Sequence, residues 1–418
     1  MGMSRLIGLL FAGAFATIWA EQAVAAPTDE FAMANNVLSR SRPGLDPQGL
    51  HLGGFTLYPT LLATLAYDDN VFDTDTLTRK SGVYSIQPSV SLRSNWSVHQ
   101  FNLDAGGLIQ RYTNASEADF DQFNVAGAGR IDVSSNARLS TTGHFARATE
   151  PRGSIGDIFI GANPVVYRTF GGAEAAKVDL GHFQLSASGG VDRFVYNNVR
   201  VGSTIQSQKY RNRNDINALV QLGWEVGPGI VGFVQGRYDK ERYDIRTSTG
   251  TLNSHGWTVQ GGVDFKITSL IVGRVGVGYL ERNYQDSRFG SVNGLSYDAS
   301  IVWNVTTLVT LTMNADKAVE ESPDINVSGI ISNHAGAKVD WEILRNILFN
   351  GRVGYTVERY RGLSRTDRRN QEGAGVRYLA NRFLEIGLDY DRRDQNGSGL
   401  FGRDYKGNSV QLSIKLQR

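Results

Sequence analysis

"GIVGFVQGRYDKERYD", residues 229–244, runs from glycine and apolar residues into a cluster of mixed charges. At a period of two, Ile230, Val234 and Tyr238 share an oily face, while Gln235, Arg237 and Asp239 take the opposite, wet one. One such strand fits any half-buried sheet. The pattern, however, repeats almost to the end of the chain. In 101–112, Phe101, Leu103, Ala105 and Ile109 oppose Asn102, Asp104, Gln110 and Tyr112; in 215–225, Ile216, Val220, Leu222 and Trp224 oppose Asp215, Asn217, Gln221 and Glu225. Stretches 256–266, 349–358 and 408–417 alternate in the same way. So many two-faced strands need an apolar surround on one side and water on the other.

The chain of 418 residues holds 48 Gly, only 9 Pro and no Cys, and its formal net charge is +2. Cohesion therefore comes from backbone pairing and packing without disulfide staples, and the charge excludes a strongly basic nucleic-acid binder. Mean hydropathy of -0.27 fits a soluble protein, but also a barrel with a wet lumen. At the front, Arg5 precedes "LIGLLFAGAFATIWA" and a small-residue site, which predicts a secretory signal peptide over 1–26, cleaved after Ala25 or Ala26. Residues 27–51, rich in Pro, Gly and charge, read as a periplasmic leader, and 52–418 as the folded body.

Short turns fall near 94, 135, 180, 228, 268, 306, 344 and 381, alternating with longer polar links near 68–81, 113–119, 150–166, 197–208, 244–254, 285–293, 319–326, 361–367 and 393–403. That predicts an all-β, transmembrane, antiparallel outer-membrane β-barrel of about 18 strands, within a range of roughly 16–20. Closure follows from the solvent, because a backbone group left unpaired in hydrocarbon costs several kcal/mol. Trp96, Trp224, Trp257, Trp303, Trp341, Tyr196, Tyr279 and Tyr390 lie near strand ends and predict interfacial girdles. A soluble β-sandwich or β-solenoid is the competing fold, disfavoured by the lack of any domain break.

Charges facing lipid would cost roughly 2–4 kcal/mol for Arg or Lys at mid-membrane, so the strand charges are expected to line the lumen. The predicted pairs are Arg130 with Asp132, Arg237 with Asp239, Asp264 with Lys266, Lys338 with Asp340, Arg352 with Glu358, and Glu385 with Asp389, joined by Arg274, Arg282 and Arg377. Mixed signs predict a path for a neutral or weakly charged hydrophilic solute; for each residue, wall bracing is the plainer role. Gly106, Gly262, Gly276, Gly278 and Gly375 on the wet face either ease strand coiling or leave room in the lumen.

Catalysis and metal binding find little footing. The six histidines, His51, His99, His144, His182, His255 and His334, are scattered without metal spacing, and no Gly-x-Ser-x-Gly elbow occurs. A barrel-embedded hydrolase would have to use His144 or His182. Asp68, Asp69, Asp73 and Asp75 lack the register of a calcium loop and read as solvated turn residues. No cofactor is expected.

Residues 42–103 carry a run of motifs: Arg42-Pro43, Gly54-Phe55 with Pro59, Tyr67 with Asp69, Asn70 and Phe72, Pro88 with Ser94, and Trp96 with His99. In these the chain resembles the putative β-barrel porin 2 family, with two departures: Gly53-Gly54-Phe55 where Gly-Ser-Phe is common, and an ending in "IKLQR" where barrels commonly close on an aromatic residue. The resemblance implies a bacterial outer-membrane location, lipid and lipopolysaccharide contacts, handling by the outer-membrane assembly machinery, and support for exopolysaccharide export in company with export components. It brings no catalytic residues. Passive or secretion-linked transport is the leading function, and a structural barrel with a plugged lumen the rival. A short leader and fewer than about 22 strands argue against a plug-bearing receptor.

Overall fold

The computed structural model describes residues 36–245, 250–268, 270–324 and 326–418. The signal-peptide and first leader residues lie outside them. The strands are, in chain order, β1 (Leu50–Leu52), β2 (Phe55–Asp68), β3 (Ser81–Ser94), β4 (Gln100–Tyr112), β5 (Phe120–Asp132), β6 (Ala137–Thr149) and β7 (Val166–Leu180). Next come β8 (Phe183–Tyr196), the short β9 (Val199–Val201) and β10 (Thr204–Gln206), β11 (Arg213–Gly227), β12 (Ile230–Tyr243), β13 (Ser254–Ile267) and β14 (Ile271–Tyr284). The remainder are β15 (Val292–Thr306), β16 (Val309–Glu320), β17 (Ile330–Leu344), β18 (Ile347–Tyr360), β19 (Arg365–Asn381), β20 (Leu384–Gly399) and β21 (Tyr405–Gln417).

Every long strand pairs antiparallel with its neighbours, and β2 closes the ring on β21 from Thr60↔Gln417 to Asp68↔Ser409. The result is a closed barrel of 18 strands; β1 only folds back on the start of β2, and β9–β10 form a hairpin in a loop. No sheet edge is left for hydrocarbon. The period-two reading decides which face is which: Leu65 (65 % exposed), Val220 (54 %), Val353 (58 %) and Leu412 (45 %) all stand on the outer wall. Trp224, Trp303 and Trp341 ring the short-turn end, while Trp257 and Tyr279, with ring centroids 5.7 Å apart, mark the other interface. Tyr196 departs from the expected girdle. Its even position in β8 turns it into the lumen, where it is buried and stacks on Tyr167 at 5.1 Å.

All eight short turns occur where the alternation breaks, and they define the periplasmic end. Two of the long links are shorter than expected: 361–364 and 400–404 replace 361–367 and 393–403, because β19 and β20 run to 17 and 16 residues. Their outward residues there, such as Arg368, Asn370, Arg392 and Asp394, are polar because the strands project beyond the apolar band. A polar strand above the membrane looks like a loop in sequence.

Among the described residues, no hydrophobic cluster occupies the middle of the barrel. Apolar packing gathers where chain segments fold into the two mouths: around Val165, Tyr167 and Tyr196, around Val71 and Phe72, around Val327, Ile330 and Tyr360, and, at the periplasmic end, around Val37, Leu348 and Leu379.

Candidate functional site: the lumen and its two mouths

Lumen-facing charges pair largely across strands. Arg237 does meet Asp239 (2.9 Å), Lys338 meets Asp340 (2.9 Å) and Arg130 meets Asp132 (3.1 Å), two residues apart on one strand as expected. The other predicted pairs are corrected by the register. Asp264 pairs with Arg274 (3.3 Å) on the next strand and not with Lys266, which points toward open solvent near the periplasmic rim. Arg352 takes Asp389 (3.7 Å) and Asp391 rather than Glu358, which sits with Arg369 (3.5 Å). Glu385 is held by Arg377 (3.9 Å) and Lys415 (3.6 Å), so Glu385 and Asp389 belong to separate pairs. Arg282 is bound to Glu241. Such wall pairs leave little net field. Among the predicted lining residues Arg237 keeps a half-exposed side chain, whereas Arg274 is buried.

The opening stretch hides a feature that alternation alone did not reveal. Val231 and Phe233 share the wet face with Gln235 and Arg237, and Phe233 is fully buried inside the barrel. The guanidinium of Arg274 lies 3.8 Å from its ring centroid and donates to Gln221 (2.9 Å) and Gln235 (2.6 Å). Gly262 and Gly276 make the room: a Cβ on Gly262 would stand 2.5 Å from the Phe233 ring. Gly262→Ala is therefore expected to destabilise the barrel by about 1–3 kcal/mol through overpacking, read as a lower unfolding temperature in detergent. An unchanged temperature would show that both the ring and the Val275 carbonyl oxygen, which lies closer still to that Cβ position, give way freely.

At the outer mouth, residues 150–165 form a loop closed at its base by Glu150 N–H donating to Val165 O (2.8 Å). It springs from β6 and β7, the fifth and sixth strands of the ring, yet touches the fourteenth to sixteenth. Ile155 packs on Val327, Ile330 and Tyr360, and lumen-facing Arg369 donates to Gly153 O at 2.8 Å. Arg403, between β20 and β21, donates to an Asp157 carboxylate oxygen at 3.2 Å. The loop thus crosses the mouth.

Its near end is bolted by Arg211, in the link between β10 and β11. That side chain donates to Glu150 (2.9 Å) and to Glu321 (2.9 and 3.2 Å) from the link after β16, and lies 4.0 Å from the Tyr196 ring centroid. Burial raises the Glu150 carboxyl above its usual range, against the pull of Arg211 and with help from Glu321. For Glu321, burial pushes up but Arg211 and Arg213 together outweigh it and hold the group low.

The first long loop is likewise anchored, and this corrects the reading of Asp68, Asp69 and Asp73 as solvated, while Asp75 is exposed as expected. Asp68 and Asp73 accept from Arg393 at 3.0 and 3.1 Å, Asp69 accepts from Asn408 N–H (2.6 Å), and Asp73 is buried. No group of metal-ligating side chains occurs among the described residues. Burial pushes Asp73 up to about 6; Arg393 opposes the rise and Asp68 adds to it. A folded value above the ordinary 3.8 means that the packed loop holds a proton the unfolded chain has released. That contribution is complete below the unfolded value and is lost as pH climbs through about 6. Lowering pH from about 7.5 to about 5 should therefore stabilise the folded protein, by on the order of 1–3 kcal/mol from this group. Asp73→Asn should lose that share of the slope in a detergent melt; an unaltered slope would refute the assignment.

At the periplasmic mouth, residues 36–49 fold inward against the wall. Val37 is fully buried against Leu348 and Leu379, with Leu38 and Leu45 beside it, and its N–H donates to Thr310 Oγ1 (3.0 Å). Arg42, also buried, donates to Val37 O (2.5 Å) and Glu342 (2.8 Å), and its own N–H donates to Asp46 (2.6 Å). The leader read in the sequence is, over these residues, a strap seated in the lumen.

The two histidines considered for catalysis do not form a relay. His144 meets both Thr169 (3.5 Å) and Asp192 (3.6 Å) through the same Nε2, whereas a relay needs opposite ring nitrogens. His182 is an exposed turn residue near Glu225.

Among solved structures, the chain is similar to the outer membrane protein OpdK of Pseudomonas aeruginosa at 12% identity and TM-score 0.44, over 87% of this chain and 99% of that one. OccK2 (OpdF) of P. aeruginosa in complex with glucuronate follows at 13% and 0.47, over 88% and 100%. The siderophore receptor PiuA of Acinetobacter baumannii follows at 12% and 0.46, over 89% and 82%. No curated protein matches the sequence. The family model described as putative beta-barrel porin 2 matches residues 42–418, the whole barrel and the strap from Arg42 onward. The chain therefore belongs to the putative beta-barrel porin 2 family of outer-membrane proteins.

Proposed function

We propose that the protein is a restricted diffusion channel for a small hydrophilic solute, neutral or weakly charged. The observation that carries this reading is the loop 150–165 crossing an 18-strand barrel whose wall charges are paired. Barrels of this strand number leave an aqueous lumen, and a loop held across it by ion pairs narrows the path without filling the barrel. Polysaccharide passage is a narrower form of the same proposal, rests on the family resemblance, and needs the loop to swing aside. The plugged barrel is the second reading, supported by the presence of chain in both mouths.

Purified protein in planar bilayers separates them. Stable small steps support the channel, steps diminished by added polysaccharide support the narrower form, and a silent bilayer supports the plugged barrel. Joint replacement Arg237→Gln, Arg274→Gln and Arg352→Gln should shift the anion-to-cation permeability ratio by about twofold, chiefly through the half-exposed Arg237. An unshifted ratio in a conducting protein would remove these arginines from the path.

A further inference from the structure

Two outward-facing arginines at the extracellular rim are paired with acids. Arg111 meets Asp121 at 2.7 Å, and Arg193 meets Asp244 at 2.5 Å. One sector differs. At the tops of β15 to β20 a cleft of about 610 Å3 is lined by Asn293, Lys317, Arg359, Arg361, Thr366 and Ser398 among others. Among the described residues, neither Arg359 nor Arg361 has a carboxylate within ion-pair distance. Lys317 donates one N–H to Leu295 O (2.7 Å), which leaves the rest of its ammonium free to bind. Arg365 at the cleft's edge is already paired with Asp367 and lies 4.1 Å from the Tyr360 ring centroid, so it serves as wall.

The register places the cleft on the outside. Lys317 stands opposite Asn333, and Arg359 opposite Ile331, on the parity that carries the lipid-facing Leu295, Val353 and Tyr355. Arg359 lies four residues beyond Tyr355, an interfacial aromatic. Four residues span about 13 Å of strand, or about 10 Å along the membrane normal at an ordinary barrel tilt. That is headgroup height. Three like charges converging there without an acid, among amide and hydroxyl groups, make a receptor for a dianion, and arginine matches phosphate with paired N–H donors.

We propose that this cleft binds the phosphate of a phosphorylated glycolipid in the outer leaflet, with Arg359 and Arg361 gripping the phosphate oxygens and Lys317 supplying a third donor. The site faces sideways into the leaflet, which favours a lipid-borne phosphate over a free anion. It would fix the rotational setting of this sector in the membrane, and it does not depend on what the lumen conducts.

The test uses the folded full barrel in detergent micelles, with diphosphoryl lipid A as probe and native mass spectrometry as readout. Joint replacement Lys317→Gln, Arg359→Gln and Arg361→Gln should weaken the lipid adduct about tenfold, and Arg359→Gln alone about threefold. Arg382→Gln, which removes a charge from the periplasmic turn, should leave the adduct unchanged. Lipid A stripped of its phosphates should bind no better to the native protein than to the triple variant. The proposal is overturned if the triple variant, verified as folded by its heat-modifiable migration, keeps native affinity, or if the phosphate-free lipid binds as well. It is also overturned if inorganic phosphate at the same concentration displaces the lipid, since the cleft would then be a free-anion site.

Discussion

Replacing Arg211 with Ala should open the outer mouth, raising single-channel conductance several-fold and making Ile155→Cys accessible to a polar thiol reagent from outside. Arg211 is the cation shared by Glu150 and Glu321, and its side chain is 2 % exposed. Its loss leaves two carboxylates close together in a buried pocket, with Arg213, 3.6 Å from Glu321, still beside them. Removing one member of such a group costs about 3–5 kcal/mol, comparable with what a loop of this size gains from packing Ile155. The loop should therefore leave rather than bear the strain. The converse variant is informative. Arg211→Met combined with Glu150→Gln and Glu321→Gln removes these three charges, leaves Arg213 its pair with Asp215 (3.0 Å), and should keep the mouth closed. Equal labelling rates in Arg211→Ala and native protein would mean that the loop is held without this bolt. The labelling is clean because the chain has no cysteine.

The second large effect is expected at the other end. Arg42→Ala removes the cation that faces Glu342 and the donor that holds Val37 O, leaving a nearly buried carboxylate unpaired. Of the described anchors named above, the strap then keeps its apolar contacts and the Val37 N–H bond to Thr310. A penalty of about 3–5 kcal/mol should release it in a sizeable fraction of molecules. Val37→Cys should accordingly react at least about tenfold faster with a periplasmic-side reagent in the Arg42→Ala background. Glu342→Gln, which keeps a hydrogen-bond acceptor, should have a smaller effect of the same sign. If both backgrounds label alike, the strap is seated by its leucines alone and the ion pair is ornamental.

Much of the architecture could be read from residue order. The oily rows of β11, β13, β18 and β21 were legible because lipid demands apolar side chains at every second position, and that demand is local. The turns were legible for the same reason, since alternation stops where the membrane does. Legibility failed where a second strand decides. Asp264 has Lys266 two residues away, but the register sets it opposite Arg274. Phe233 reads as an ordinary strand residue until Gly262 and Gly276, on two further strands, are seen to leave a hole of its shape.

The mouths are the extreme case. Nothing in "EPRGSIGDIFIGANP" signals that Ile155 will reach Tyr360, or that Arg369 will meet Gly153, because loop sequences answer to no membrane and carry no period. Residue order by itself determined a closed antiparallel barrel, its lipid face and its approximate strand number, because a two-phase solvent imposes a rule on each residue separately. Which charges meet across the wall, and that the loop 150–165 and the strap 36–49 turn into the lumen, were decided only by tertiary structure: those contacts join residues as distant in the chain as Val37 and Leu379, and depend on where closure of the ring brings each strand.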